Sequence, residues 1–129
     1  MLNSSVLRIL VTGGAGFIGG ALIRRLLRDT GAEIFNLDKF GYASNLSSLD
    51  SLAHFQHRHH VLRVDLADQA ATAAAVRQAN PDLIFHLAAE SHVDRSIDGP
   101  EVFLSSNVLG TFSLLQAARD HWENLPEER

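Results

Sequence analysis

The chain has 129 residues, no cysteine and a formal net charge of −4, enough length for one domain that buries about two-thirds of its unfolded surface, with disulfides and thiolate metal sites excluded. Acids and bases are interspersed without a basic stripe, which argues against a nucleic-acid partner, and the apolar run near the N-terminus is too short for a signal peptide or a membrane span. A cytoplasmic location, with no membrane partner, is the expectation from this composition.

The run Val6 to Val11 predicts a first strand over about Leu7 to Val11. Thr12-Gly13-Gly14-Ala15-Gly16-Phe17-Ile18-Gly19 follows it and opens an amphipathic stretch, the place where a strand hands a phosphate-binding turn to a helix. Glycines suit such a turn because it needs conformations closed to other residues, and because no Cβ then stands between the main chain and a pyrophosphate. The free N–H groups of the helix start, carrying roughly half a positive charge, attract the anion. An ordinary tight turn could use the same glycines; what separates the two is an acidic residue about 20 positions further on. Asp38 stands at that distance from Gly19, at the end of the apolar run Ile34-Phe35-Asn36-Leu37. The intervening helix is expected over Phe17 to Asp29, with Ile18, Leu22 and Leu26 as its apolar stripe and Arg24, Arg25 and Arg28 on a solvated face. The second strand is expected near Glu33 to Leu37.

Asp38 can accept hydrogen bonds from both hydroxyls of an adenosine ribose, whereas a 2′-phosphate would meet like charge, so NAD is favoured over NADP. Lys39 beside it softens that selectivity. His54, His57, His59 and His60 crowd the approach to a third strand near His60 to Val64; without cysteine help or defined ligand spacing they are better explained as surface histidines than as a zinc site. Asp65 ends that strand and could reach an adenine or cap a helix. Asp68 caps a helix over Gln69 to Ala79 that Asn80-Pro81 stops.

A fourth strand is expected near Leu83 to Leu87. Ligands of such sheets lie beyond the carboxyl ends of the strands, so the polar exit from His86 to Ser96 should face cofactor and substrate, with small Ala88 and Ala89 letting a flat ring pass. Ser91, His92 and Asp94 suggest a hydrolase triad, but neighbours in sequence rarely converge on one point and no Gly-x-Ser-x-Gly is present. Asp98-Gly99-Pro100 announces a last helix to about Trp122. Leu104, Val108, Phe112, Leu115 and Trp122 supply its apolar surface, Gly110 removes bulk where it approaches the sheet, and the charged tail from Glu123 to Arg129 frays. Alternating strands and helices predict an α/β fold: a partial Rossmann, doubly wound parallel sheet of about four strands.

Three segments carry a resemblance to the dTDP-glucose 4,6-dehydratases of the extended short-chain dehydrogenase/reductase family. They are Leu10 to Gly19, Asp38-Lys39 with Tyr42-Ala43 and Asn45-Leu46, and His86 to Ile97 with Asn107 to Thr111. The resemblance covers nearly all 129 residues and implies that they form the N-terminal part of an NAD-binding domain, without the later strands and the substrate domain. By the same resemblance Gly13, Gly16, Phe17, Ile18 and Gly19 surround the pyrophosphate. Asp38, Lys39, Phe40 and Gly41 contact the adenosine, and Asp65 and Leu66 flank the adenine. Leu87, Ala88 and Ala89 pass beneath the nicotinamide, Ser106 lies near the cofactor, and Ser91 touches the nucleotide sugar. Phe40-Gly41 and Gly20 depart from the branch's more usual residues.

The reaction so implied oxidises C4 of the glucose of dTDP-glucose with bound NAD⁺, eliminates water across C5 and C6, and returns the hydride to C6. It needs a Tyr base assisted by a Lys one helical turn later, and a carboxyl pair as acid and base. The one tyrosine, Tyr42, and the one lysine, Lys39, stand in the wrong order, and the family's Asp-Glu pair belongs to a strand beyond Arg129. The chain is therefore expected to be catalytic only if a downstream segment or a second chain supplies the rest. Alternatives are a non-catalytic NAD-binding module paired with another subunit, a decayed gene product, or part of another nucleotide-sugar dehydratase or epimerase. With the sheet half complete, Leu83-Ile84-Phe85 would form an exposed apolar edge, and the isolated chain is expected to be marginally stable or self-associating, or to pair with a complementing chain.

Overall fold

A computed structural model describes residues 6–14, 16–39, 57–88 and 109–125. The elements in chain order are β1 (Arg8–Thr12), α1 (Phe17–Asp29), β2 (Glu33–Asp38), β3 (His59–Arg63), α2 (Gln69–Ala79), β4 (Leu83–His86) and α3 (Gly110–Glu123). The four strands make one sheet in the order β3-β2-β1-β4, and every pairing is parallel. This is a Rossmann-type sheet whose strand order reverses at β1. The expectations for the bounds of α1 and α2 hold, and each strand lies within one residue of its expected place.

Strand residues alternate between two apolar layers, because successive side chains of a strand point to opposite faces. Ile9, Val11 and Ile34 meet Ile23 and Leu27 of α1 on one face. Leu10, Phe35 and Leu37 meet Ala75, Val76 and Ala79 of α2 and Leu114 and Ala117 of α3 on the other. Arginines close two helix ends. Arg58 donates to the carbonyls of Leu27, Thr30 and Ala32 behind α1, and Arg8 donates to the Ala79 carbonyl at the end of α2 while its guanidinium lies 4.8 Å from the Phe35 ring centre. Both place positive charge at the negative end of a helix dipole. At the other end of α2, Asp68 accepts from the Ala71 N–H, and Asn80 stops the helix in the left-handed conformation at φ 45°.

Two helix faces differ from expectation. The buried residues of α1 are Gly19, Gly20, Ile23 and Leu27, Leu22 and Leu26 flank them, and Ile18 is exposed. The inward face is thus turned by about one residue, with Gly19 packed directly on the Gly13 carbonyl. On α3 the buried residues are Gly110, Ser113, Leu114 and Ala117, while Phe112, Leu115 and Trp122 face outward. Small residues there allow close packing on the equally small Ala75 and Ala79 of α2. The expected start of this helix, with Leu104 and Val108, lies outside the described residues, as does the end of the tail.

Among the described residues β4 is an outer strand of the sheet. Ile84 packs into the layer of α2 and α3, whereas Leu83, Phe85 and Leu87, on the α1 side, are exposed, in line with the expected apolar edge.

Candidate dinucleotide-binding site

Parallel pairing brings the carboxyl ends of all the strands to one side, and the glycine turn after β1 stands there between the ends of β2 and β4. Gly13 has φ 75°, a conformation open to glycine at no steric cost. Its N–H donates to the Leu37 carbonyl at 2.8 Å, and its carbonyl accepts from the Gly16 N–H at 3.1 Å. A Cβ on Gly13 would stand 2.7 Å from the Ala88 nitrogen, so the turn lies directly against the exit of β4. Gly16 is the N-cap of α1; no side chain caps this helix and its first turn holds no acid. Its N-terminal N–H groups and dipole are therefore directed at whatever anion the turn admits. Phe17 and Ile18, whose side chains are exposed, place their main-chain N–H groups in that first turn.

Asp38 closes β2 on the same side. It is 8% exposed, faces Arg63 of β3 in register, and its carbonyl accepts from the Val64 N–H. Lys39 follows and is exposed. Asp65 shapes the entry to α2, with Oδ1 accepting from the Ala67 N–H at 3.0 Å and its carbonyl accepting from the Asp68 N–H at 2.9 Å; the helix cap itself is Asp68. Leu66 turns its side chain into the core, so only its main chain faces the rim. Leu87 is exposed and Ala88 packs against the core of α2 and α3. Phe40, Gly41, Ala89, Ser91 and Ser106 lie outside the described residues, as do His92 and Asp94.

Polar side chains to which sequence reasoning gave no role, Thr12, Asn36 and Thr111, adjoin the turn and the exit of β4. The Thr12 hydroxyl accepts from the N–H groups of Leu87 and Ala88 at 3.0 and 3.2 Å and lies 2.7 Å from His86 Nδ1, whose Nε2 lies 2.9 Å from the Thr111 hydroxyl. Burial lowers the pKa of His86 below its ordinary value. Asn36 is fully buried beneath the turn: a Cβ on Gly14 would stand 2.0 Å from its Oδ1, and its Nδ2 lies 3.3 Å from His59 Nε2. Asn36 Oδ1 has no hydrogen-bond partner among the described residues. The available signal was a polar residue inside an otherwise apolar strand, since buried polar groups need partners.

The two histidines of β3, His59 and His60, have structural occupations. His60 pairs with Glu33 at 2.7 Å and stacks on Phe35, while His59 meets Asn36, its pKa lowered by burial and then by the neighbouring charge of His60. His54 lies outside the described residues, among which no group of three or more potential metal ligands gathers and no helix is long and apolar enough to cross a membrane.

The sequence profile of the GDP-mannose 4,6 dehydratase family matches residues 10–128. A dTDP-glucose 4,6-dehydratase of Salmonella typhimurium is 44% identical over 95% of this chain and 34% of its own length. The crystal structure of the Streptomyces venezuelae dTDP-glucose 4,6-dehydratase double mutant, with NAD bound, superposes with a TM-score of 0.80 at 43% identity, over 90% of this chain and 37% of that one. The Thermus thermophilus UDP-glucose 4-epimerase, in complex with NAD, gives a TM-score of 0.77 at 33% identity, over 90% and 35% of the two chains. The chain thus spans about a third of the length of the relatives it matches.

Proposed function

The chain belongs to the GDP-mannose 4,6 dehydratase family, and from that premise we propose that residues 1–129 form the N-terminal, NAD-binding part of a dTDP-glucose 4,6-dehydratase. The observation that carries the reading is the turn itself. Gly13, at positive φ and bonded to Leu37, is packed between Gly19 and Ala88, and the carboxylate of Asp38 ends the adjoining strand.

These residues fit a dinucleotide. The N-terminus of α1 and the N–H groups at Gly16, Phe17, Ile18 and Gly19 hold the pyrophosphate. Asp38 accepts from the ribose hydroxyls, with Lys39, Phe40 and Gly41 alongside, and Asp65 and the main chain of Leu66 border the adenine. Leu87 and Ala88 border the nicotinamide half; the family resemblance assigns Ala89 and Ser106 to that half as well, and Ser91 to the nucleotide sugar. NAD held there would supply the hydride acceptor, and later the donor, that the proposed reaction needs. This chain's own part is to bind and orient that cofactor. The Tyr-x-x-x-Lys base pair of the family reaction is not among its residues, so turnover requires groups supplied in addition to these.

Calorimetric titration of the chain with NAD and NADP tests the reading. Saturable NAD binding, weaker for NADP, is expected; no binding of either would overturn it. When a complementing C-terminal segment is supplied, consumption of dTDP-glucose separates the dehydratase from an epimerase.

A further inference from the structure

His86 stands between two hydroxyls from distant parts of the chain, Thr12 at the end of β1 and Thr111 in the first turn of α3. The Thr12 oxygen already accepts from the N–H groups of Leu87 and Ala88. A hydroxyl has one proton and two lone pairs. With both lone pairs engaged, its proton goes to His86 Nδ1, which must be unprotonated to accept it. The ring proton is then on Nε2, which donates to Thr111. Burial disfavours the charged imidazole, and the engaged lone pairs of Thr12 select the Nε2–H form of the neutral ring.

We propose that His86, as the neutral Nε2–H tautomer, is a positioning residue that fixes Leu87 and Ala88 against the glycine turn and so sets the wall of the nicotinamide half of the site. The proposal rests on the dinucleotide reading. Its reach comes from the tight packing at that point, where a Cβ on Gly13 would stand 2.7 Å from the Ala88 nitrogen. Any drift of the β4 exit changes the mouth of the turn. Among the described residues the main chain alone gives that exit one bond, from the Leu87 N–H to the Thr12 carbonyl; the Thr12 hydroxyl, oriented by His86, adds the hold on Ala88.

Three readouts on the 129-residue protein test this. Long-range proton–nitrogen spectra above neutral pH report the tautomer. Amide hydrogen exchange at Leu87 and Ala88 reports the hold on the exit, and calorimetry reports NAD affinity. His86→Phe removes both ring bonds, whereas His86→Asn places an amide oxygen where Nδ1 stands and keeps the Thr12 half. The expected result is the Nε2–H tautomer, with exchange at both amides about tenfold faster and NAD binding weaker by a similar factor in the Phe variant, and both close to wild type in the Asn variant. An Nδ1–H tautomer, or unchanged exchange at Leu87 and Ala88 in His86→Phe, would overturn the proposal. Should the Phe variant not fold, Thr12→Val against Thr12→Ser makes the same comparison from the other end of the bond. If wild-type protein binds no NAD, the functional reading fails, while tautomer and exchange still decide the role of His86.

Discussion

A Cβ on Gly19 would stand 2.1 Å from the carbonyl oxygen of Gly13. The first turn of α1 therefore lies on the glycine turn with no space between them, and the obstacle is backbone, which cannot swing away as a side chain can. Gly19→Ala is expected to cost about 1–3 kcal/mol, the range for forcing extra atoms into a packed site, and to abolish measurable NAD binding. Gly31→Ala is the control: nothing lies within 4 Å of a Cβ there, and the expected change is neutral to about 1 kcal/mol stabilising. Thermal melts of the pair check the contrast; equal melting temperatures would show that the turn can move.

On the proposed reading, Asp38 carries the choice of cofactor. A hydrogen bond to a charged acceptor is worth about 1.5–3 kcal/mol, so Asp38→Ala should weaken NAD binding by at least tenfold while leaving NADP binding unchanged or improved, since the like charge facing a 2′-phosphate is gone. Titration of both nucleotides against both proteins measures this. A parallel loss for the two would place the ribose elsewhere.

The two adjacent leucines of α3 separate what packs from what is only apolar. Leu114 is 3% exposed and Leu115 is 65% exposed. Leu114→Ala should cost about 2–5 kcal/mol through the cavity it leaves, and Leu115→Ala less than about 0.5 kcal/mol. Urea denaturation of the two variants gives both numbers, and similar costs would contradict the orientation of the helix.

That orientation was not legible in the sequence, for a physical reason that also applies to α1. Hydrophobic periodicity weighs side chains by size, and the inward faces of both helices are built partly from residues with little or no side chain: Gly19 and Gly20 on α1, Gly110, Ser113 and Ala117 on α3. Close approach, not apolar mass, sets these faces, whereas apolar mass alone points Ile18 and Phe112 inward. The bounds of α2 were readable because Asp68 and Asn80 act locally as cap and stop. In the site, the glycine turn and Asp38 were legible from type and spacing. Thr12, Asn36 and Thr111 were not, because their partners are assembled by strand order and helix placement.

Arg58 holds the end of α1 to the start of β3. Its guanidinium donates to three main-chain carbonyls, Leu27, Thr30 and Ala32, a spread that only a planar fork of donors can cover. Arg58→Ala should cost about 1–2 kcal/mol, less than three charged hydrogen bonds would suggest because carbonyls at the surface regain water. Arg58→Lys should recover less than half, as one ammonium cannot span the set. Urea midpoints of the three proteins decide it, and full rescue by Lys would mean that charge near the helix end matters more than geometry.

Acid should destabilise the fold through His59 and His86. Both have folded-state pKa values lowered from the ordinary 6.5, His86 by burial and His59 by burial and then by His60. The unfolded chain therefore binds more protons than the folded one between the two values, and stability rises with pH across that interval. The contribution is fully present above pH 6.5 and is lost progressively as pH falls below it toward the folded-state pKa values. Other groups titrate in the same range, so the variants carry the argument. His59→Gln and His86→Asn should each flatten the decline of melting temperature on acidification, and the double variant should flatten it further, because the rings sit in separate networks, one against Asn36 and the other between Thr12 and Thr111. An undiminished acid decline in the double variant would assign the effect to other groups.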